Sequence, residues 1–252
     1  MSNTFEELLF QAERGAGLFG TTVVDSEILE TKQACLRPQI GGNHATHNEE
    51  IKLIERVFLF PGPQVRQVVV FWGIDERGDT GGICARAGRN LAEQTGMPVC
   101  LVDADLNTPS SLFDYFGIDK ALLVNRGISQ SPSIRELTLR IEGQNMFLVS
   151  LRMILGGAGP RWELDGWPSR LNELRRAFTY VLIAAPAASA NPHTVLLGKG
   201  ADGVILVLES QMTRRETARA VKQSLAEASV QLLGAVLNNH PYAIPSKLYN
   251  ML

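Results

Sequence analysis

From residue 67 onward, short apolar runs recur along the chain: Gln67–Phe71, Val99–Val102, Met146–Ser150, Tyr180–Ile183, Gly203–Leu208 and Leu232–Leu237. Runs that are apolar nearly throughout, rather than alternating, read as strands covered on both faces. Between several of them the spacing turns helical. Residues 83–95 read as a helix closed by Gly96, a left-handed terminator. Residues 168–178 read as another, and 213–228 as a third, with Thr213 as cap and Glu216 three positions later. Strands joined through helices make a parallel sheet with helices on its faces. The fold expected is therefore α/β: a single doubly wound domain with a mostly parallel sheet.

That domain is expected to span 49–252, since helical spacing resumes at 49–58. Residues 1–48 are expected to form an N-terminal helix plus a flexible arm. Thr4 and Glu7 can cap a helix over 4–14 that places Phe5, Leu8 and Leu9 on one face. Residues 15–48 lack sustained periodicity and hold many Gly, Thr and Asn.

Charge narrows the function classes. With 24 Lys+Arg against 26 Asp+Glu, the chain has neither the basic excess of a nucleic-acid binder nor the acidic bias of a disordered scaffold. Cys35, Cys84 and Cys100 show no C-x-x-C spacing and read as free thiols. No apolar window of about 18 residues offers a membrane span, and the N-terminus lacks a secretory pattern. The expected place is the cytoplasm, without direct membrane insertion.

In a doubly wound sheet, the turn after the first strand is where phosphate binds, at a helix N-terminus. Here that turn is Gly73-Ile-Asp-Glu-Arg-Gly78-Asp79-Thr80. It matches the Walker spacing G-x-x-x-x-G-K-[S/T] everywhere but the lysine, where Asp79 stands. A second register, through Gly81 and Gly82 to Ala85, offers no lysine either; none occurs between Lys52 and Lys120. A cation about 4 Å from a phosphate, at an effective dielectric near 20, is worth roughly 4 kcal/mol before desolvation. Losing it should cost at least about two decades of affinity, at roughly 1.4 kcal/mol each. The loop is then either a strand–helix turn without ligand or a site where Arg77 or Arg86 replaces the lysine.

The second strand runs into Val102-Asp103-Ala104-Asp105-Leu106-Asn107-Thr108-Pro109. Two acids at alternate positions beyond a strand can hold hydrated Mg²⁺ and polarise a water. In this string the sequence resembles the MinD/ParA-like P-loop ATPases, and among them the bacterial tyrosine kinases of the capsule and exopolysaccharide type. Their second Walker motif reads V-D-A-D-L-R-x-P. Further matches follow in order at Phe113–Gly117, Phe178–Pro186, Gly200–Val207, Gly234–Asn238 and Tyr242–Tyr249.

The resemblance implies ATP with Mg²⁺ held by Asp103 and Asp105, and adenine read by Asn238. It also exposes departures. Where the family carries V-I-I-D-T-P-P, the acid position is Ala184; the oligomerisation pattern E-x-x-R-x-x-R reads Glu49-x-x-Lys52-x-x-Glu55; and a C-terminal tyrosine cluster is missing. Two catalytic positions lost from one site point to a degenerate member: a regulatory or assembly partner in polysaccharide synthesis or export. It would dock on the cytoplasmic tail of a membrane polysaccharide copolymerase or on an active kinase homologue, or assemble with itself, at the inner membrane through that partner. The expected cofactor is none, with ATP and Mg²⁺ as weak candidates. The alternative is a weak ATPase or tyrosine kinase with a lysine-free loop.

Other signals read as bland. His44-x-x-His47-x-Glu49 reads as a solvated loop rather than a metal site. His193 and His240 read as surface or cap residues, and Arg175-Arg176 and Arg214-Arg215 as solvated helix faces. Ser189 and Ser210 lack a nucleophile-elbow context. Trp162 and Trp167 read as core residues.

Overall fold

The computed structural model describes residues 44–60, 65–76, 78–104, 112–118, 132–156, 166–188 and 194–239. Seven strands form one sheet: β1 (Val68–Gly73), β2 (Val99–Asp103), β3 (Leu139–Ile141), β4 (Met146–Ser150), β5 (Tyr180–Ala185), β6 (Gly203–Glu209) and β7 (Leu232–Asn238). Their order is β3-β4-β2-β5-β1-β6-β7, and only β3 runs antiparallel, against β4. Six strands thus lie where the apolar runs predicted them. The edge strand β3 was not anticipated: three residues are too short to show a period.

The sheet divides the core in two. Val68, Val70 and Trp72 of β1 point into one layer, and Val69 and Phe71 into the other, which is why no polar residue interrupts the strand. One layer is covered by α1 (His44–Ile54), which continues as one π turn through Glu55–Leu59, and by α2 (Thr80–Thr95). Shorter α3 (Leu112–Tyr115) joins them. The other layer is covered by α4 (Ile134–Leu137), α5 (Leu151–Ile154), α6 (Trp167–Ala177), α7 (Val195–Lys199) and α8 (Arg215–Glu227). Trp167 is buried there as expected.

Three local readings are corrected. Residues 44–49 are helical, not a solvated loop, so α1 begins five positions before the expected start at 49. Thr213 does not cap α8, whose N-cap residue is Arg214; its hydroxyl is engaged elsewhere, as shown below. Arg175 is not a solvated surface cation, because it is paired with Asp202. The α2 terminus is as expected, with Gly96 at φ 66° donating its N–H to the Ala92 carbonyl. The helix expected over 4–14, the flexible-arm reading of 15–43, Cys35, Trp162, His193 and His240 lie outside the described residues.

Candidate functional site at the carboxyl edge of the sheet

Six parallel strands end along one edge and bring residues distant in sequence into a row. Pairing sets Phe71 beside both Ala184 and Ile205, Ala184 beside Asp103, and Glu209 beside Asn238. Both registers of the Walker-like turn run into the start of α2. Gly73 ends β1, and Thr80 begins α2, so Gly81 and Gly82 belong to the first helical turn. Arg77 and Asp105 lie outside the described residues.

Asp79, which stands at the lysine position of the first register, is the N-cap of α2. Its Oδ1 accepts the Gly82 N–H at 3.1 Å, the contact a capping carboxylate makes with the unsatisfied donors of a helix start. Gly82 has to be glycine, since a Cβ there would collide with that carboxylate. The Asp79 Oδ2 accepts from Nη1 of Arg86 at 3.1 Å, while the Arg86 Nε donates to Glu50 on α1 at 2.6 Å. Asn90 adds a bond to the other Glu50 oxygen at 3.2 Å. Burial opposes the charge of Arg86, but Glu50 and Asp79 outweigh it, so the guanidinium holds its proton more firmly than a free arginine. Arg86, the candidate replacement for the lysine, is therefore engaged by two carboxylates and ties α1 to α2.

A second carboxylate reaches the loop from β6. Glu209, only 3% exposed, takes the Asp79 backbone N–H on Oε1 at 3.2 Å. The same oxygen accepts from Nδ2 of Asn238 at 2.8 Å, and Oε2 accepts from Nδ2 of Asn239 at 2.9 Å. Gly78 lies against it, and a Cβ at that position would stand 3.3 Å from Oε1. Thr213 completes the seam: its hydroxyl donates to Asp75 of the loop and accepts the Glu209 N–H at 2.8 Å. Sequence reasoning missed Glu209, because the apolar run was ended one residue before it. An acid at the carboxyl end of a buried strand, as at Asp103, was the available signal.

Asp103 is fully buried at the end of β2, and its Oδ2 accepts the Phe113 N–H of α3 at 3.4 Å. Across the pairing, Ala184 offers a methyl, 3% exposed, and its carbonyl accepts the Ala104 N–H at 2.9 Å. Cys84 and Cys100 lie buried in the two layers beside β2. Burial raises both thiols, and Asp103 raises Cys84 further, so both stay protonated and unreactive.

Among the described residues, no helix is long and apolar enough to cross a membrane. No family model matches the chain. The tyrosine-protein kinase YwqD of Bacillus subtilis (strain 168) is 28% identical over 145 residues, which are 58% of this chain and 61% of that protein. The chain thus spans about three fifths of the length of this curated relative. The kinase domain of the Escherichia coli tyrosine kinase ETK superposes with a TM-score of 0.63 at 15% identity, covering 90% of this chain and 91% of that one. A chain of the MinC:MinD cell division protein complex of Aquifex aeolicus gives 0.53 at 16% identity, covering 73% and 72%. The chain therefore has the P-loop NTPase-like fold of the bacterial tyrosine kinase domains and the MinD/ParA-like ATPases, and in sequence it resembles a bacterial tyrosine kinase.

Proposed function

We propose that this chain is a catalytically degenerate relative of the capsule and exopolysaccharide tyrosine kinases, working as a regulatory or assembly partner rather than as a kinase. The observation that carries the reading is Asp79. A carboxylate holds the lysine position, caps α2 on Gly82 and pairs with Arg86. A polyphosphate approaching this loop would meet Asp75, Asp79 and Glu209 where the kinases present a cation. Ala184 supplies no carboxylate for a metal shell, and Asp103 accepts from Phe113 at the start of α3. Among the described residues, this donor set does not fit ATP with Mg²⁺.

The partner fitting this reading is the cytoplasmic tail of a membrane polysaccharide copolymerase, or an active kinase of the same fold. It would bring the chain to the inner membrane from the cytoplasm. Calorimetry with ATP-Mg at millimolar nucleotide should give no binding heat, and the purified chain should show no autophosphorylation. An ATPase or autokinase rate that disappears in Asp103→Ala would overturn the proposal.

A further inference from the structure

We propose that Glu209 is a resident anion of the phosphate loop: its carboxylate occupies donors that would otherwise take a phosphate group, and so excludes inorganic and nucleotide phosphate. This rests on the reading above, that the loop takes no nucleotide, and supplies a cause for it that is separate from the missing lysine.

The donor set is of the kind that binds phosphate. Anion sites at a strand–helix turn are built from backbone N–H groups and side-chain amides. Glu209 collects one of the former, from Asp79, and two of the latter, from Asn238 and Asn239. A carboxylate presents two acceptor oxygens, as one edge of a phosphate does. Both oxygens are used, and Gly78 leaves room for one of them beside the loop.

The arrangement is costly unless those donors are met. Glu209 is 3% exposed, and among the described residues its side-chain hydrogen-bond partners are neutral amides rather than cations. Among the described residues that carboxylate is held by hydrogen bonds from amides. The same residue therefore occupies a loop amide and turns the amide of Asn238 inward. Thr213 reinforces the closure by joining Asp75 of the loop to the backbone of Glu209.

The test compares the full chain with Glu209→Gln, which keeps shape and removes charge, and Glu209→Ala, which frees all three donors. Sodium pyrophosphate is titrated into each by calorimetry, while the Asp79 amide resonance is followed and cooperative unfolding confirms the fold. Glu209→Ala is expected to bind pyrophosphate at least tenfold more tightly than the unaltered chain, with Glu209→Gln between them. The Asp79 amide should shift on titration only in the variants.

Folded variants that bind no more tightly than the unaltered chain overturn the proposal. If Glu209→Ala does not fold, Glu209→Gln decides alone, and a gain below about threefold counts against it. The two readings fail separately. Micromolar ATP-Mg binding by the unaltered chain overturns the proposed function, whereas the ratio between that chain and its Glu209 variants decides the role of Glu209.

Discussion

Strand β6 carries a carboxylate at each end, and the two are held in different ways. At its start, Asp202 accepts the N–H groups of Gln67 and Val68, both at 2.7 Å, where β1 begins. Arg175 of α6 grips the same carboxylate at 2.6 and 3.1 Å. At its end, Glu209 accepts the Asp79 N–H in the loop where β1 hands over to α2, together with the two asparagine amides. Both carboxylates tie β6 to the chain flanking β1. The more exposed one has a cation and the more buried one has amides: the side chain of Asp202 is 25% exposed, whereas Glu209 is 3% exposed. The first is a structural latch. The second places a buried carboxylate against the turn between β1 and α2.

The largest effect should come from adding a third acid to the crowded end. Ala184→Asp places a buried carboxylate beside Asp103, its neighbour across β2 and β5. An unpaired buried charge of this kind should cost about 3–5 kcal/mol in denaturant unfolding. It should restore no ATPase, since Asp79 still holds the lysine position. Removing the buried cation of that end comes next. Arg86→Ala leaves Glu50 and Asp79 unpaired and should cost about 3 kcal/mol, read the same way.

At the opposite end, Asp202→Asn keeps the shape but weakens the grip of Arg175. It should cost about 1–2 kcal/mol, since the pair is partly solvated and screened. Glu209→Gln should cost about 1 kcal/mol: its single amide oxygen replaces one of two acceptors, while no described cation is left behind. A Glu209→Gln loss larger than that of Asp202→Asn would reverse the contrast between latch and resident anion.

The smallest expected effect is in acid. Asp202 lies below the usual carboxylate range: burial pushes it up, but the Arg175 bonds, the Val68 and Gln67 N–H groups and the Arg175 charge together overcome that. Its folded-state value is lowered, so its contribution is complete above about pH 4 and fades as pH falls through that lowered value. Unfolding midpoints followed from pH 5 to pH 2 should fall more steeply for the unaltered chain than for Asp202→Asn. Parallel curves would remove the link between Asp202 and acid stability.

Much of the architecture was legible because burial on both faces leaves a local mark. In β1 every residue from Val68 to Gly73 is buried, and the run stands out without reference to its neighbours. Two apolar layers, one on each side of the sheet, impose that pattern. The candidate site was legible as a list of positions, namely the loop from Gly73 to Thr80, then Asp103, Ala184 and Asn238, but not as a set of contacts. Asn238 stood in the sequence as an adenine-reading position, and its contact in the structure, donation to Glu209, had no local mark. Thr213 had the spacing of a helix cap and instead bonds to Asp75 and the Glu209 N–H. For Thr213 the local motif was compatible with two partners, and the distant one prevailed.

The amino-acid sequence by itself determined the α/β class, the place of the Gly-rich turn after the first strand, and the absence of both a lysine at position 79 and an acid at position 184. Each follows from residue identity and near-neighbour spacing, which burial and steric preference control locally. Only the tertiary structure decided what surrounds those positions. Glu209 reaches Asp79 across 130 positions, and Arg86 meets Glu50 across 36. Groups so far apart in the chain can meet only after the crossover order has set β6 beside β1 and α1 against α2. That order minimises exposed apolar surface over the whole sheet, so no local stretch of sequence records it.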